Sequence, residues 1–551
     1  MIFQTFQHEN FMLPGYRAAK AAFIACFAAG YAVHLFAFTN LIPNSDGLSR
    51  VADPQQMTIS GRWFLHYATM WNGYVQSPAL IGFLSVLFMA LAAAFVVLTL
   101  KMNTPLLAGL TGILLIIFPP AAFTYLYMFT ASAYFFGILL AAAAVWMTDR
   151  FRYGIIPGAL LLACSIGTYQ AYLAVACSLS LICMILQATR EERSVREILR
   201  TGLKHLALLV SGLILYLLIL RVFLTVKGLA LIDYHGISGM GSRMHPGAVL
   251  FMLYPAFRRF FSYFLRPGGL CGYTTAFSAA LNLCAAAFGL FCAGLCVRHM
   301  VRSGRRGAAA LTALLILLTP AAFNLAAFMD DDKEIMRYGL VFAYIFVLAL
   351  ADLAAAMRPE AAKKTAPAAE PEAGNGHTDG SLEKTWRKAL AGLFLGVFAL
   401  LVLFFANVDN LAYTSAATAH RATEAFAVNL VGRVEALPGY QKGMEVVIIG
   451  PFPENVYHSG VQAFDLPDAP VDSVMPLGKH VYYYLNDWLN VPWQEPSEET
   501  MLAVSGSEAF KAMPLYPDDG SVAILDGRVV VRLAEEYRPK QPFEIQYESR
   551  R

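Results

Sequence analysis

Long apolar runs alternate with short polar loops along roughly the first 400 residues, after which the chain turns polar. The runs are Ala18–Leu41, Ala79–Leu100, Pro105–Pro119, Thr130–Met147, Gly154–Gly167, Ala171–Gln187, His205–Val226, Thr275–Val297, Ala308–Phe328, Tyr338–Met357 and Ala389–Asn407. Several approach or exceed the ~20 apolar residues that cross a bilayer, and the pattern predicts about eleven transmembrane helices. Ala18–Leu41 is longer than a secretory apolar region of roughly 7–15 residues, so it reads as a retained helix. Gly154–Gln187 is too long for one crossing, since 34 residues would span ~51 Å against a core of ~30 Å. It reads as two short crossings or a re-entrant pair meeting at Thr168-Tyr169-Gln170. Ala248–Leu265 is apolar but holds Arg258 and Arg259, which fits an interfacial or re-entrant segment.

Lys and Arg in short loops set orientation. Arg17 and Lys20 precede the first run; Lys101, Arg150 with Arg152, Arg190–Lys204, Arg298–Arg306 and Arg358–Lys388 follow the second, fourth, sixth, eighth and tenth. Every second loop is basic, so those loops and the N-terminus are expected in the cytoplasm. Residues 358–388 are rich in Ala, Pro, Glu and Lys and read as a disordered cytoplasmic linker within a membrane domain of residues 1–407. Residues 408–551 carry 20 acidic and 11 basic residues, and an odd number of crossings places them outside. This tail begins helical (Leu411–Leu437) and then shows strand-like runs at Glu445–Ile449 and Val522–Leu533. The second run folds at Asp526-Gly527, a hairpin signal. The expected fold class is an all-α polytopic membrane protein with a small C-terminal extracytoplasmic α/β domain.

Composition agrees with the pattern. Of 551 residues, 58% are hydrophobic and 14% charged, against about a quarter charged in soluble domains. Seven of the eight cysteines fall in apolar runs and Cys271 in a loop, with no CxxC or CxxH spacing. They read as small packing residues, with no disulfide framework or metal site. Neither a glycine-rich phosphate loop nor a nucleic-acid patch is present, and no cofactor is implied.

With that orientation the polar residues gather on the outer face. The first outer loop carries Asp46, Arg50, Asp53 and Arg62; later ones carry Tyr169 with Gln170, then Asp233, His235, Arg243, His245, Arg258, Arg259 and Arg266, then Asp330–Lys333, Glu334 and Arg337. Trp63, Tyr67 and Trp71 recur at four-residue steps, an aromatic stripe suited to the membrane interface. On its loop alone Asp46 reads as a solvated loop carboxylate or helix cap, Arg337 as a snorkelling arginine, and the Asp330–Asp332 run as a solvated acidic turn. His34, inside the first run, is expected to be neutral and hydrogen-bonded.

The early Asp46, then Ser60-Gly61-Arg62-Trp63, then Gly167-Thr168-Tyr169-Gln170-Ala171-Tyr172-Leu173, then Arg337 heading a late run, resemble the Gtr-type bacterial membrane glucosyltransferases. These modify O-antigen and related surface glycans and belong to the GT-C class. The resemblance covers roughly the first 350–400 residues, a stretch longer than a typical single domain. It implies a GT-C-like membrane domain in the bacterial cytoplasmic membrane. It also implies a polyprenyl-phosphate hexose donor, glucose in this family, and an acceptor that is a surface glycan or lipid-linked glycan. The sequence departs from many GT-C enzymes in lacking an adjacent acidic pair: Ser45 neighbours Asp46, and Asp53 lies seven positions on. The weight therefore falls on Asp46 as general base, with Asp53 second. Arg337, Arg62, Arg258 and Arg259 are the candidates for holding the departing phosphate, where a guanidinium fork suits the oxygens. Trp63, Tyr169 and Gln170 are the candidate substrate contacts. One displacement would invert the anomeric centre. A flippase or transporter, and a glycan polymerase or ligase, remain the alternatives.

Overall fold

The computed structural model describes residues 15–48, 52–231, 246–270, 272–328, 333–357, 379–451 and 478–539. Arg50, Asp233, His235, Arg243, His245, Cys271, Asp330, Asp331 and Asp332 lie outside them, as do residues 358–378 of the expected linker.

The membrane domain is a helical bundle. Helices α1 (Tyr16–Thr39), α2 (Leu65–Thr69), α3 (Pro78–Leu100), α4 (Pro105–Ile117), α5 (Pro119–Leu126) and α6 (Met128–Arg150) form its first half. Then come α7 (Ile155–Thr168), α8 (Leu173–Arg190), α9 (Val195–Val226), α10 (Pro246–Leu265), α11 (Ala276–Arg302), α12 (Arg306–Leu317), α13 (Thr319–Phe323) and α14 (Phe342–Ala356). Proline opens α3, α4 and α5, where its missing N–H costs nothing. Ser194 and Glu197 form a capping box at the start of α9. Helix α1 packs against α3 and α4, α3 against α6, and α7 bridges α6 and α9.

Among the described residues nine helical stretches are long and apolar enough to cross a membrane, rather than the eleven expected. The two that fall short are Ile155–Thr168 and Arg306–Leu317. At 1.5 Å per residue, their 14 and 12 residues reach about 21 and 18 Å, less than a ~30 Å core. The expected Ala308–Phe328 crossing breaks at Leu318-Thr319-Pro320 into α12, α13 and a 3-10 turn, Leu325–Phe328. The interfacial Ala248–Leu265 run is the helix α10. The Trp63–Trp71 stripe forms only a short helix and a turn, with Trp63 buried and Tyr67 and Trp71 exposed.

The two ends of the bundle differ. At one end Lys101 pairs with Glu191 at 2.5 Å, Arg190 donates to the Leu100 carbonyl at 3.0 Å, and Arg305 donates to the Ala188 carbonyl at 3.0 Å. Asp352, buried near the end of α14, accepts from the Thr104 N–H at 2.8 Å and so caps α4 there. The other end carries the described loop residues 40–48 and 52–77.

A helix of 57 residues, α15 (Asp379–Glu435), joins the two cores. Residues 379–388, expected as linker, are its first turns, and the expected boundary at residue 407 falls inside it. Phe398, Leu401, Phe405 and Tyr413 belong to the bundle core, Phe426, Leu430 and Val434 to that of the tail. His34 of α1 ties this helix to α4: one ring nitrogen meets the Tyr413 hydroxyl at 2.7 Å, the other the Ile116 carbonyl at 2.9 Å. The tail sheet has β1 (Val446–Ile449), β2 (Val522–Leu525) and β3 (Arg528–Arg532), in the order β1-β3-β2. Strands β2 and β3 are the hairpin expected at Asp526-Gly527, and β1 runs parallel to β3. Helix α16 (Gly478–Tyr483) borders the edge strand β1, with the Tyr482 hydroxyl donating to the Val446 carbonyl at 3.1 Å and accepting from the Ile448 N–H at 2.6 Å. Leu48, from the first loop, is fully buried in this tail core.

Candidate functional site

The two short motifs meet. Gly61 ends a 3-10 turn with φ +80°, in the left-handed region that glycine enters without strain. A side chain there would meet the Gln170 amide at 2.6 Å and the Tyr216 hydroxyl at 2.7 Å. Two residues on, the Trp63 ring lies against Gly167, where a Cβ would come within 2.6 Å of it. The Phe64 N–H donates to the Gly167 carbonyl at 2.8 Å, Gln170 Nε2 to the Ser60 carbonyl at 2.9 Å, and Tyr216 to the Gly61 carbonyl at 3.2 Å. The loop is thereby pinned to the α7–α8 junction, which is where α7 stops and a 3-10 turn, Gln170–Tyr172, turns the chain back. Trp63 stacks on Phe223 of α9, and Trp63 and Tyr169 are both buried. Arg62 is half-buried: its guanidinium lies 5.1 Å over the Tyr169 ring and donates to the Tyr134 hydroxyl at 3.2 Å.

Next to this junction, the Gln170–Tyr172 turn packs on the segment Glu334–Val341. That segment is 3-10 helical, so residues three apart lie in line. Arg337 donates to Glu334 at 2.8 Å, and Glu334, 1% exposed, also accepts from the Tyr263 hydroxyl. The Arg337 guanidinium lies 6.0 Å over the Tyr263 ring. Tyr263 belongs to α10, which supplies Arg259 one turn earlier; Arg266 follows just past the helix end. These residues, with Ser262 and Asn324, line a cavity of about 450 Å³. Asn324 and Arg259 also tie the broken α12–α13 stretch to α10, through the Ala256 and Ala327 carbonyls at 3.0 and 3.2 Å. Three guanidinium groups surround the cavity and one carboxylate is already engaged, so the site favours an anion with several oxygens, for which arginine forks are suited.

Of the predicted residues, Arg259 and Arg337 line this cavity. Arg62, Trp63, Tyr169 and Gln170 form the neighbouring junction instead, and Arg258 is exposed on α10 without lining the cavity. Asp46 is exposed on a 3-10 turn, Ser45–Gly47. Asn44 secures that turn, accepting from the Gly47 N–H at 2.9 Å and donating to the Leu126 carbonyl at 3.0 Å. Gln76 donates to the Gly47 carbonyl at 3.0 Å. Asp53 shapes the loop around it. Its carboxylate accepts from the Gln55 N–H at 2.8 Å and its N–H donates to the Tyr74 carbonyl at 2.9 Å. Neither acid lines the cavity.

Tyr263, Glu334 and Arg266 did not stand out as site residues in the sequence. The signal was there in the spacing: Arg259, Tyr263 and Arg266 fall four and three apart, one face of a helix, and Glu334 stands three before Arg337.

No curated protein and no solved structure matches the chain significantly. A family model does: the one described as Glucosyl transferase GtrII matches residues 35–349, a stretch that holds both the Arg62–Tyr169 junction and the arginine-lined cavity. By that match, over more than half of its length, the chain belongs to the GtrII glucosyl transferase family.

Proposed function

We propose that the protein transfers a hexose, glucose by its family, from a polyprenyl-phosphate donor to a surface glycan on the outer face of the bacterial cytoplasmic membrane. The observation that carries the reading is the cavity of Arg259, Arg266 and Arg337 where α10 ends, in a bundle whose described residues include nine helical stretches long and apolar enough to cross a membrane. A lipid phosphate reaches the membrane interface, and a cluster of guanidinium groups is what its oxygens require as the bond to the sugar breaks. The donor already has a good leaving group, so no general acid is needed. Asp46, on a turn held by Asn44 and Gln76, takes the proton from the acceptor hydroxyl. The acceptor oxygen then attacks the anomeric carbon opposite the phosphate, which leaves with the bonding pair, and the centre inverts. Glu334 and Tyr263 hold Arg337 in place for that phosphate.

The test is transfer of label from polyprenyl-phosphate glucose by membranes holding the full chain. Wild type should transfer, and Arg337→Ala should lose nearly all transfer at equal protein level. Transfer from a nucleotide sugar in place of the lipid donor, or an Arg337→Ala variant with unchanged donor dependence, would overturn the reading.

A further inference from the structure

At the end of the bundle away from the Asp46 loop, three helices bring together Asp149 of α6, Cys183 of α8 and His205 of α9. Their ligand-capable atoms all lie within 4.8 Å of one another. A Cβ at Gly47, beside Asp46, would meet the Phe129 ring at 3.0 Å, and Asp149 lies twenty residues further along α6, about 30 Å away along the axis. This cluster is therefore separate from the glucosyl-transfer site. We propose that Asp149, Cys183 and His205 bind a divalent transition-metal ion of the zinc type, which clamps α6, α8 and α9 together.

Three observations carry the assignment. His205 is 2% exposed, yet neither of its ring nitrogens has a hydrogen-bond partner. Buried polar groups are normally satisfied, and an orphaned one is costly; a metal ion takes one of these nitrogens as a ligand. The second observation is Gln187, one turn after Cys183 on α8. Its Nε2 donates to Asp149 Oδ1 at 2.6 Å and to Cys183 Sγ at 3.1 Å, so one amide holds both ligand atoms close together. Outer-shell hydrogen bonds of this kind orient the ligands of metal sites. The third is the donor set itself. A thiolate, an imidazole and a carboxylate on three rigid elements match zinc-type coordination, with water in the fourth position.

Charge favours the same ion. A dication with one thiolate, one carboxylate and a neutral imidazole has no net charge, which limits the desolvation penalty at a buried site. Binding converts the Cys183 thiol to thiolate and releases one proton to solvent. Bond lengths of about 2.0–2.3 Å place tetrahedral ligands roughly 3.4–3.8 Å apart, so the widest pair closes by about 1 Å. Half-buried Asp149, beside exposed Arg150 and Tyr153, leaves an approach from the aqueous side.

Cobalt(II) is the probe for the full chain in nanodiscs. Wild type should take up one cobalt per chain with a thiolate-to-cobalt charge-transfer band, and zinc should displace it. Cys183→Ser should lose the band, His205→Ala should lose stoichiometric uptake, and Gln187→Ala should weaken binding by about 10–100-fold. Cys177→Ala, elsewhere on α8, should leave all of these unchanged. Wild type should also unfold at a higher temperature with zinc than with a chelator, a readout that requires no variant to fold. No uptake by wild type, a band that persists in Cys183→Ser, or identical unfolding with zinc and chelator would overturn the proposal.

Discussion

Arg337 owes its place to two groups that a loop arginine would lack: the Glu334 carboxylate aligned three residues before it and the Tyr263 ring beside it. That makes a distinction between charge and shape measurable. Arg337→Lys keeps the charge but loses the planar fork, so it should retain part of the activity with a raised KM for the lipid donor. Arg337→Ala should retain almost none, and steady-state kinetics with varied donor would separate the two. Equal loss in both variants would mean that the fork itself is indispensable, and equal retention would remove Arg337 from the phosphate site. Asp46 is tested differently, because it is exposed and its removal spares the core. Asp46→Asn should lower turnover by about 10²–10⁴-fold, the usual contribution of a general base, while protein level and donor binding stay as in wild type. Near-normal turnover would shift the role elsewhere, with Asp53→Asn the next variant to assay.

At the scale of elements, the contact between the Gly61-Arg62-Trp63 loop and the α7–α8 junction depends on two missing side chains. A Cβ at Gly167 would run into the Trp63 ring at 2.6 Å. Gly167→Val should destabilise the protein by about 1–3 kcal/mol, as overpacking does, and should lower the unfolding temperature. Gly392→Ala, at an open position on α15, should not. The two motifs were legible as sequence because each is short, unusual and polar within an apolar surrounding; what they contact was not. Trp63 stands in an expected interfacial stripe, yet it is buried, because the five-residue helix begins only at Leu65 and leaves Trp63 in the preceding loop, packed on Gly167. The cavity was half legible. Arg259 and Arg337 stood out as charges near apolar runs, whereas Tyr263 was hidden inside one and Glu334 merged with the acidic residues before it. Most helices follow the apolar runs, but the expected Ala389–Asn407 crossing and Leu411–Leu437 tail helix are one continuous helix, because no breaker separates them. The number of crossings does not follow the runs, since run length cannot tell a crossing from the 14- and 12-residue helices that stop short. The Asp149–Cys183–His205 cluster had no sequence signal at all, because its members are 34 and 22 residues apart and only helix packing unites them.

For the whole molecule, the alternation of basic loops makes a prediction about sidedness. Ser303→Cys, in the turn after α11, and Lys442→Cys, in the tail, are both exposed. A membrane-impermeant thiol reagent should label the tail position in intact spheroplasts and the Ser303 position only after lysis. Labelling of both from one side would end the proposed topology. The tail also reaches back to the first loop, because Leu48 is buried in its core. Leu48→Ala should cost about 2–5 kcal/mol of local stability, the usual range for a buried leucine. Faster proteolysis between residues 40 and 57 would report the loosened loop, and an unchanged cleavage rate would show that the tail does not secure it. This arrangement has a rotational consequence. Helix α15 is 57 residues long, about 86 Å of continuous rod, and it fixes the azimuth of the tail as well as its height. One alanine inserted after Ala417 would twist the tail by about 100° and swing the Leu48 pocket off the first loop, whereas seven would lift it by about 10 Å yet bring it back to within about 20° of its original bearing.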